Sequence, residues 1–245
     1  MTKEYTNDYL LDKQIKILQP INGYRASSDA VLLSSAIQKV KSGEKILDLG
    51  SGTGAISLCL AHRFPKNSIT GLEIQPELVK LANISADING FDNLHFINCN
   101  IQNTDTSWFG QYDHVITNPP YSANDMPSPN QSKATAHNFC GFCLSDWLKF
   151  ALKCLRAQGY IYIINRAEAI DEILSVLHNT TGNITIVPLT SKSGQNAKRV
   201  LVCARKGIHT PTRIFPPLII HQKDGSYTAK AQKILREGQS LFAQF

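Results

Sequence analysis

The stretch from Asp48 to Gly54, with the sequence DLGSGTG, constrains the fold of this chain more than any other. The run 45–47 before it predicts a buried strand, and the run 55–60 after it predicts a helix. Three glycines at alternate positions allow backbone conformations closed to other residues and let a ligand approach the main chain closely. The free N–H groups of the following helix favour a carboxylate or a phosphate. The stretch therefore predicts a strand, a turn and a helix that together bind a small nucleoside-bearing ligand.

The spacing of the glycines distinguishes a dinucleotide from S-adenosylmethionine (SAM). Dinucleotide sites use G-x-G-x-x-G, whereas this chain has alanine at position 55 and reads D-x-G-x-G-x-G. That form resembles motif I of the class I SAM-dependent methyltransferases. Glu73 ends the next predicted strand, 25 residues after Asp48, where a carboxylate can accept hydrogen bonds from both ribose hydroxyls. We therefore expect SAM as the cofactor.

A second motif, Asn118-Pro119-Pro120-Tyr121, follows the predicted strand 112–117. Open α/β sheets bind ligands at the carboxyl ends of their strands. The prolines stiffen the turn, so the Asn118 side-chain oxygen and the Pro119 carbonyl form a fixed pair of acceptors for a planar NH2 group. Two acceptors on its hydrogens favour a tetrahedral nitrogen with a free lone pair, which is preorganised electrostatic catalysis. Tyr121 offers a ring on which a flipped-out base can stack.

Together the two motifs resemble the methyltransferases that modify adenine N6, guanine N2 or glutamine N5. The segment 23–33, GYRASSDAVLL, the chain length and the basic C-terminal segment are similar to the bacterial tRNA(Val) adenine N6-methyltransferases, whose members methylate the adenosine just 3′ of the anticodon. The resemblance covers roughly residues 10–205. It implies catalytic roles for Asn118, Pro119, Pro120 and Tyr121. It implies cofactor contacts for Asp29, Asp48, Gly50, Ser51, Gly52, Gly54, Glu73, Ile74, Asn100, Ile101 and Asn118.

Two of these implied roles carry an alternative. Asp29 would bind the methionine amino group, but capping its own helix is an equally good explanation. Many relatives have an acid at the end of the third strand that contacts the adenine amino group, whereas this chain has Asn100 there. The Asn100 side-chain oxygen can still accept from that amine, but without a charge, so cofactor affinity would be lower.

The order of the predicted elements indicates an α/β fold. Strands alternate with helices over short connections, which is typical of a parallel sheet. We expect a Rossmann-like class I methyltransferase fold with a seven-stranded, mostly parallel sheet that ends in an antiparallel hairpin around the loop 191–197. The chain is expected to be a single methyltransferase domain, with an N-terminal extension (1–43), a catalytic core (44–205) and a basic C-terminal tail (206–245). Helices are predicted at 28–41 and 227–242, among others, and the loop 122–138 is predicted to be a lid.

The distribution of charge suggests a polyanionic partner. The net charge of +6 divides into +2 over residues 1–45, −3 over residues 46–197 and +7 over residues 198–245. A basic flank beside a nucleoside site suggests nucleic acid; a solvated surface without a partner is the alternative. We expect tRNA as the substrate, with Lys198 and Arg199 at the mouth of the hairpin, and Arg25, as candidate contacts.

Composition favours a reduced, cytoplasmic protein. The six cysteines fall mostly within predicted elements, the chain has no run of about 18 apolar residues, and the N-terminus lacks the apolar core of a signal peptide. The pair Cys140 and Cys143 forms a lone C-x-x-C without a second pair, so we expect no metal site. No membrane association is expected, and the sequence does not indicate an oligomeric state.

Three functions remain open at this point. The first is transfer of a methyl group to adenine N6 in tRNA, with guanine N2 as an alternative acceptor. The second is a glutamine N5 protein methyltransferase of the release-factor type. Such enzymes carry a helical N-terminal domain, for which the roughly 20 residues before Ile21 leave no room. The third is a non-catalytic nucleotide- or RNA-binding module, which would not need the acceptor pair at Asn118 and Pro119.

Overall fold

The computed structural model describes residues 5–23, 25–104, 106–120 and 143–245. The strands are β1 (Tyr5–Leu10), β2 (Ile15–Pro20), β3 (Ile46–Leu49), β4 (Ile69–Glu73), β5 (Leu94–Asn98), β6 (Tyr112–Thr117), β7 (Leu155–Arg166), β8 (Thr181–Thr190), β9 (Arg199–Lys206), β10 (Arg213–Ile214) and β11 (Leu218–Ile219). The helices are α1 (Ser28–Ser34), α2 (Ala55–Arg63), α3 (Pro76–Asn89), α4 (Leu144–Cys154), α5 (Ile170–Leu177) and α6 (Ala229–Leu235).

The main sheet has the strand order β5-β4-β3-β6-β7-β9-β8. The first five strands of this order are parallel, and β9 pairs antiparallel with both β7 and β8. The predicted seven-stranded, mostly parallel sheet with an antiparallel hairpin is therefore confirmed. Two two-residue strands, β10 and β11, extend the edge at β8. They stay short because prolines 211, 216 and 217 flank them and cannot donate to a ladder.

Side chains alternate between the two faces of the sheet, and each face has its own core. Ile46 of β3 packs in the core beneath α1, α2, α3 and α6, whereas its neighbours Leu47 and Leu49 pack in the core beneath α4 and α5. This alternation follows from the two-residue period of a strand. Both faces are covered, which explains why β3 and β6 are buried at every position. The result is a three-layer molecule whose strands β3, β4, β6 and β7 finish at one end of the sheet, called here the carboxyl edge.

The N-terminal segment forms a β-hairpin that packs against α3. The strands β1 and β2 pair antiparallel, and Ile15 and Ile17 of β2 are fully buried. Ser85 and Asn89 of α3 bond to the main chain of β2: the Leu18 N–H donates to Ser85 Oγ at 2.9 Å, and the Lys16 N–H donates to Asn89 Oδ1 at 2.9 Å. Residues 5–10 and 15–20 are therefore strands, joined by a turn at residues 11–14.

Two predicted helices are shorter than expected because their carbonyl groups find other partners. The helix predicted at 28–41 ends at Ser34, where Arg63 of α2 donates to the carbonyls of Ser34 and Ile37. In place of the helix predicted at 227–242, the chain forms only α6, which ends at Leu235. Gly238, shortly after this end, has a left-handed backbone conformation with φ +68°. Within the described ranges, no helix combines the length and apolar character needed to cross a membrane.

Candidate active site

The glycine loop, residues 50–54, lies at the carboxyl edge between β3 and α2. Gly50, Gly52 and Gly54 have φ of +78°, +56° and +86°, conformations that L side chains rarely adopt. The N–H groups of Gly50 and Ser51 donate to the Leu72 carbonyl of β4 at 2.9 and 3.0 Å. Gly54 is the N-cap of α2 and has no side chain to bond its first N–H groups. The helix N-terminus is therefore open toward a ligand at the loop.

Two aromatic side chains hold the glycine loop from outside it. A Cβ on Gly50 would lie 2.9 Å from Cζ2 of Trp147 in α4, and a Cβ on Gly54 would lie 2.5 Å from Cζ of Phe96 in β5. Each glycine is therefore required by close packing as well as by its backbone angle. Neither aromatic contact was predicted from the sequence, because both residues are distant from the loop along the chain.

Asp48 is completely buried beneath the glycine loop. Ser57 of α2 donates to Asp48 Oδ2 at 2.6 Å, whereas Oδ1 has no hydrogen-bond partner among the described residues. The buried hydroxyls of Ser51 and Thr53 also lack partners there. Buried polar atoms are normally paired, so three such atoms around one loop fit a ligand that carries hydrogen-bond donors. The donor groups of SAM, an ammonium and two ribose hydroxyls, meet that requirement.

Burial raises the pKa of the Asp48 carboxyl from 3.8 to about 7, with the nearby charge of Glu73 acting in the same direction and Ser57 opposing both. Between these pH values the folded protein holds a proton that the unfolded chain has released, so stability falls as pH rises. We expect the melting temperature of the wild type to decline relative to that of Asp48→Asn from pH 4 to pH 7. Thermal unfolding of both proteins across this range measures the difference. A constant difference would contradict the assignment of the raised pKa to Asp48.

Glu73 connects the glycine loop to the turn after β4. Its Oε2 accepts from the Gly52 N–H at 2.9 Å, and its Oε1 accepts from the Gln75 N–H at 2.9 Å. Burial raises the pKa of the Glu73 carboxyl, and these N–H groups oppose that shift. The Ile74 N–H and the Gln75 side chain also hydrogen-bond to this carboxyl and lower its pKa. The carboxylate therefore supports both the glycine loop and the turn after β4, and the ribose contact stays a prediction.

At the end of β5, Asn98 rather than the predicted Asn100 bonds to the segment that carries Glu73. Asn98 donates through Nδ2 to the carbonyls of Glu73 and Ile74, at 3.0 and 2.8 Å. The Asn100 side-chain oxygen accepts from the Gln102 N–H at 3.0 Å, which closes a local turn. Ile101 is buried. Asn100 therefore shapes its own loop, and Asn98 joins β5 to the segment that carries Glu73.

Asn118, Pro119 and Pro120 lie directly beside the glycine loop. Thr117 of β6 pairs with Leu49 of β3, so the residues that follow each strand are neighbours at the carboxyl edge. The Thr117 hydroxyl donates to the Leu49 carbonyl at 2.8 Å and accepts from Trp147 Nε1 at 2.9 Å. Trp147 therefore contacts Gly50 of the first motif and Thr117, the residue directly before the second. Tyr121, and the loop 122–138 predicted as a lid, lie outside the described residues.

The structure brings together one predicted cofactor residue and one predicted RNA residue. Asp29, in the first turn of α1, pairs with Arg199 at the start of β9, with Oδ2 and Nε 3.1 Å apart. Ser27 caps the helix by accepting from the Asp29 N–H, so Asp29 itself is not the N-cap. Arg199 lies at the carboxyl edge because it pairs in register with Arg166, the last residue of β7.

The other two predicted RNA contacts have different environments. Lys198 is exposed beside Arg199. Arg25 is engaged with the N-terminal hairpin, where it donates to Asp8 at 2.7 Å, to Thr6 at 2.9 Å and to the Pro20 carbonyl at 3.0 Å. Burial tends to raise the pKa of Asp8, but the hydrogen bonds of Thr6 and Gln19 and the Arg25 charge outweigh it, so the pKa is lowered. The hairpin thus already provides partners for the Arg25 guanidinium.

Residues 40–205 match the family of methyltransferase domains. The chain belongs to this family. The enzyme class predicted from the two motifs, a SAM-dependent methyltransferase, is confirmed, and SAM is its cofactor.

Curated relatives match this methyltransferase over most of its length. The tRNA1(Val) (adenine(37)-N6)-methyltransferase of Actinobacillus pleuropneumoniae serotype 5b is 28% identical over 227 residues, which cover 91% of this chain and 94% of that protein. The protein of the same name from Haemophilus influenzae is 27% identical, covering 92% and 95%. The release factor glutamine methyltransferase of Fusobacterium nucleatum is 30% identical over 192 residues, but these cover 73% of this chain and 52% of that protein.

Solved structures share the fold of this methyltransferase. A predicted O-methyltransferase, Atu636 from Agrobacterium tumefaciens, superposes with a TM-score of 0.71 at 24% identity and covers 86% of this chain and 96% of that one. M. jannaschii TYW2, in complex with AdoMet, gives 0.59 at 12% identity and covers 84% and 87%. At these identities the likeness concerns the fold.

The predicted site residues of this methyltransferase fall into a main group and two outlying ones. The ends of β3, β4 and β6 bring together Asp48, the glycine loop, Glu73 and residues 118–120 at the carboxyl edge. Asp29 and Arg199 form the second group, and Arg25 is bonded to Asp8 of the N-terminal hairpin. Among the described residues, no three His, Cys, Asp or Glu side chains are placed to share a metal ion.

Proposed function

We propose that this methyltransferase transfers the methyl group of SAM to the exocyclic N6 amine of an adenine in tRNA, next to the anticodon of tRNA(Val). The observation that carries the proposal is the position of Asn118 and Pro119, directly beyond the Leu49–Thr117 pair and therefore beside the glycine loop. The names of the relatives that match most of the chain support tRNA and adenine as the acceptor.

We assign cofactor binding to the groups around the glycine loop. Asp48, Ser51 and Thr53 have buried oxygens without partners among the described residues, and the Glu73 carboxylate is bonded to the loop through the Gly52 N–H. The N–H groups at the start of α2 favour a carboxylate. Asp29, Ile74, Asn100, Ile101 and Asn118 complete the proposed cofactor contacts. Bound SAM supplies an electrophilic methyl group.

The residues 118–120 are proposed to position the acceptor amine. Its lone pair is delocalised into the base, which makes it a weak nucleophile. Asn118 Oδ1 and the Pro119 carbonyl would accept one hydrogen bond each from the NH2 group, and this pairing favours a tetrahedral nitrogen. The lone pair becomes available without prior removal of a proton, so a strong general base is not required. The stiff Pro-Pro turn holds both acceptors before the substrate arrives.

The RNA side of the site is proposed to begin at Lys198 and Arg199. Both lie at the carboxyl edge, within the segment 198–245 that carries a net charge of +7. Cations next to a site for a flipped base can bind the adjacent phosphates and set the orientation of the strand. Because Arg199 also pairs with Asp29, the same side chain connects the proposed RNA contacts to the proposed cofactor contacts.

A glutamine methyltransferase is the second candidate, since a relative of that name is 30% identical. The same pair of acceptors would hold an amide NH2 group. The match to that relative covers 52% of its length, whereas the matches to the tRNA methyltransferases cover 94% and 95% of theirs. This difference favours the nucleic-acid acceptor.

Transfer of labelled methyl from SAM to unmodified total tRNA tests the proposal, followed by nucleoside digestion and mass analysis. We expect label in N6-methyladenosine. Release factor protein incubated in parallel tests the glutamine acceptor. Label in guanosine or in protein would overturn the choice of acceptor while the amine chemistry stands. Absence of transfer to any of these would refute the proposed function.

A further inference from the structure

A polar turn at the far side of the sheet lies at the same edge as the active site. The strand β8 runs parallel to β7, because both are antiparallel to β9, so β8 also ends at the carboxyl edge. β11 pairs with the last residues of β8, and the Ile220 and His221 N–H groups continue that pairing onto Thr190 and Ser191 at 2.9 and 2.8 Å. The turn 221–227 therefore projects beyond the edge at which Asn118 is found.

Hydrogen bonds within the turn give it a defined shape. His221 and Tyr227 form an antiparallel bridge, and their rings stack with centroids 5.2 Å apart. The Gln222 N–H donates to the Ser226 carbonyl at 2.8 Å. Asp224 Oδ1 accepts from both the N–H and the hydroxyl of Ser226, at 2.9 and 2.7 Å. The exposed tip, residues 222–226, is thus shaped chiefly by its own hydrogen bonds.

Cations gather around this turn. Lys192, from the loop between β8 and β9, donates to the Lys223 carbonyl at 3.0 Å, which places its ammonium beside the tip. Lys223 is exposed, and Lys198 is exposed on the same β8–β9 loop as Lys192. Asp224 is the nearby carboxylate, and its pKa is lowered by the Ser226 hydrogen bonds and, to a smaller degree, by Lys192. Among the described residues of the turn 221–227 and the β8–β9 loop, three ammonium groups against one carboxylate leave an excess of positive charge.

A hollow of about 470 Å³ separates the turn from α6. It is lined in part by His221, Gln222, Tyr227, Gln232 and Arg236. The Arg236 guanidinium lies over the Tyr227 ring at 5.8 Å and pairs with Asp12 at 3.3 Å, with half of the Arg236 side chain exposed. The volume is in the range of sites for small ligands. Amide, imidazole and guanidinium donors beside aromatic rings suit the base and phosphate of a nucleotide.

We propose that the turn 221–227 and its hollow bind a nucleotide of the RNA substrate away from the target base, with Lys192 and Lys223 on its phosphates. This inference rests on the proposed function. Four strand spacings of about 4.8 Å separate β6 from β11, so the second contact lies about 19 Å from Asn118 along the edge. Lys198 and Arg199 lie between the two points, since β9 lies between β6 and β8 in the sheet.

Binding of an unmodified tRNA transcript as a function of salt tests the inference. The double variant Lys192→Gln/Lys223→Gln removes two proposed phosphate partners. The matched control, Lys39→Gln/Lys66→Gln, removes the same charge from exposed lysines in the loops that enter β3 and β4 at the opposite edge. Between about 0.05 and 0.2 M salt, the slope of log K against log salt should become shallower by about 1 for each phosphate that the variant no longer neutralises. We expect this change, and tRNA binding weaker on the order of tenfold, for the test pair but not for the control pair.

The hollow is tested by His221→Ala, which removes one lining ring without changing the formal charge. We expect a higher KM for tRNA with kcat at saturating tRNA unchanged. The inference alone would be overturned if the wild type methylates tRNA but the test variants and the control have the same salt slopes and the same KM for tRNA as the wild type. A wild-type protein that neither binds nor methylates tRNA would instead overturn the proposed function.

Discussion

Replacement of Asn118 by alanine is expected to lower kcat for methyl transfer by about 10²- to 10³-fold, the usual effect of removing one preorganised electrostatic group from an active site. The variant loses one of the two acceptors proposed to hold the amine, so the nitrogen lone pair stays delocalised. SAM binding should change much less, because Asp48, Glu73 and the glycine loop remain. Single-turnover transfer to tRNA and calorimetric titration with SAM measure the two effects separately.

Asn118→Asp provides the matched comparison for this experiment. It keeps an acceptor oxygen at the same position and the same side-chain length, so we expect it to retain more activity than Asn118→Ala. Thermal unfolding of both variants checks that each remains folded. A kcat for Asn118→Ala within about threefold of the wild-type value would show that the acceptor pair does not carry the chemistry.

Substitution of Gly54 by alanine is expected to destabilise the fold by about 2–5 kcal/mol, because two costs combine at this position. The residue has φ +86°, which costs a side-chain-bearing residue about 1–2 kcal/mol. The new Cβ would also lie 2.5 Å from Cζ of the buried Phe96 ring and 3.3 Å from the Cβ of Ala82, and forced overpacking costs about 1–3 kcal/mol. The displaced loop should bind SAM weakly.

Gly90→Ala separates the cost of the backbone conformation from the cost of overpacking. Gly90 ends α3 at φ +69°, close to the angle of Gly54, but a Cβ there would meet nothing within 4 Å. We expect it to destabilise by only about 1–2 kcal/mol and to leave SAM binding unchanged. Urea unfolding of both variants, compared at equal m values, gives the difference. Equal destabilisation by the two substitutions would mean that the Phe96 contact does not constrain the loop.

The fold was predictable because its signals are local. Strands such as β3 and β6 are short buried runs, and glycine or proline marks many of the turns, so their alternation with helices indicated the class of fold. Helix ends were less predictable. The early end of α1 depends on Arg63, which is 29 residues from Ser34 along the chain. The division into extension, core and tail stays a prediction.

The candidate site was predictable where the residues proposed to act together are consecutive in one motif. The glycine loop and the Asn118 turn each carry their proposed function in consecutive residues, and topology then places them side by side. The pairing of Asp29 with Arg199 joins residues 170 positions apart, so the sequence indicated two separate roles where the structure has one ion pair. The contact of Asn100 with Gln102 and the contacts of Arg25 with the hairpin also depend on the tertiary structure and could not be predicted from the sequence.

By itself, the sequence determined the fold class and indicated the proposed amine acceptors and the proposed cofactor loop, because each depends on residues that are neighbours along the chain. The tertiary structure alone decided what holds these parts together: Trp147 against Gly50 and Thr117, Phe96 against Gly54, and Asn98 against the segment of Glu73. These contacts join different strands and helices. Side chains meet there only after the sheet has set the distance between elements, and that distance cannot be deduced from spacing along the chain.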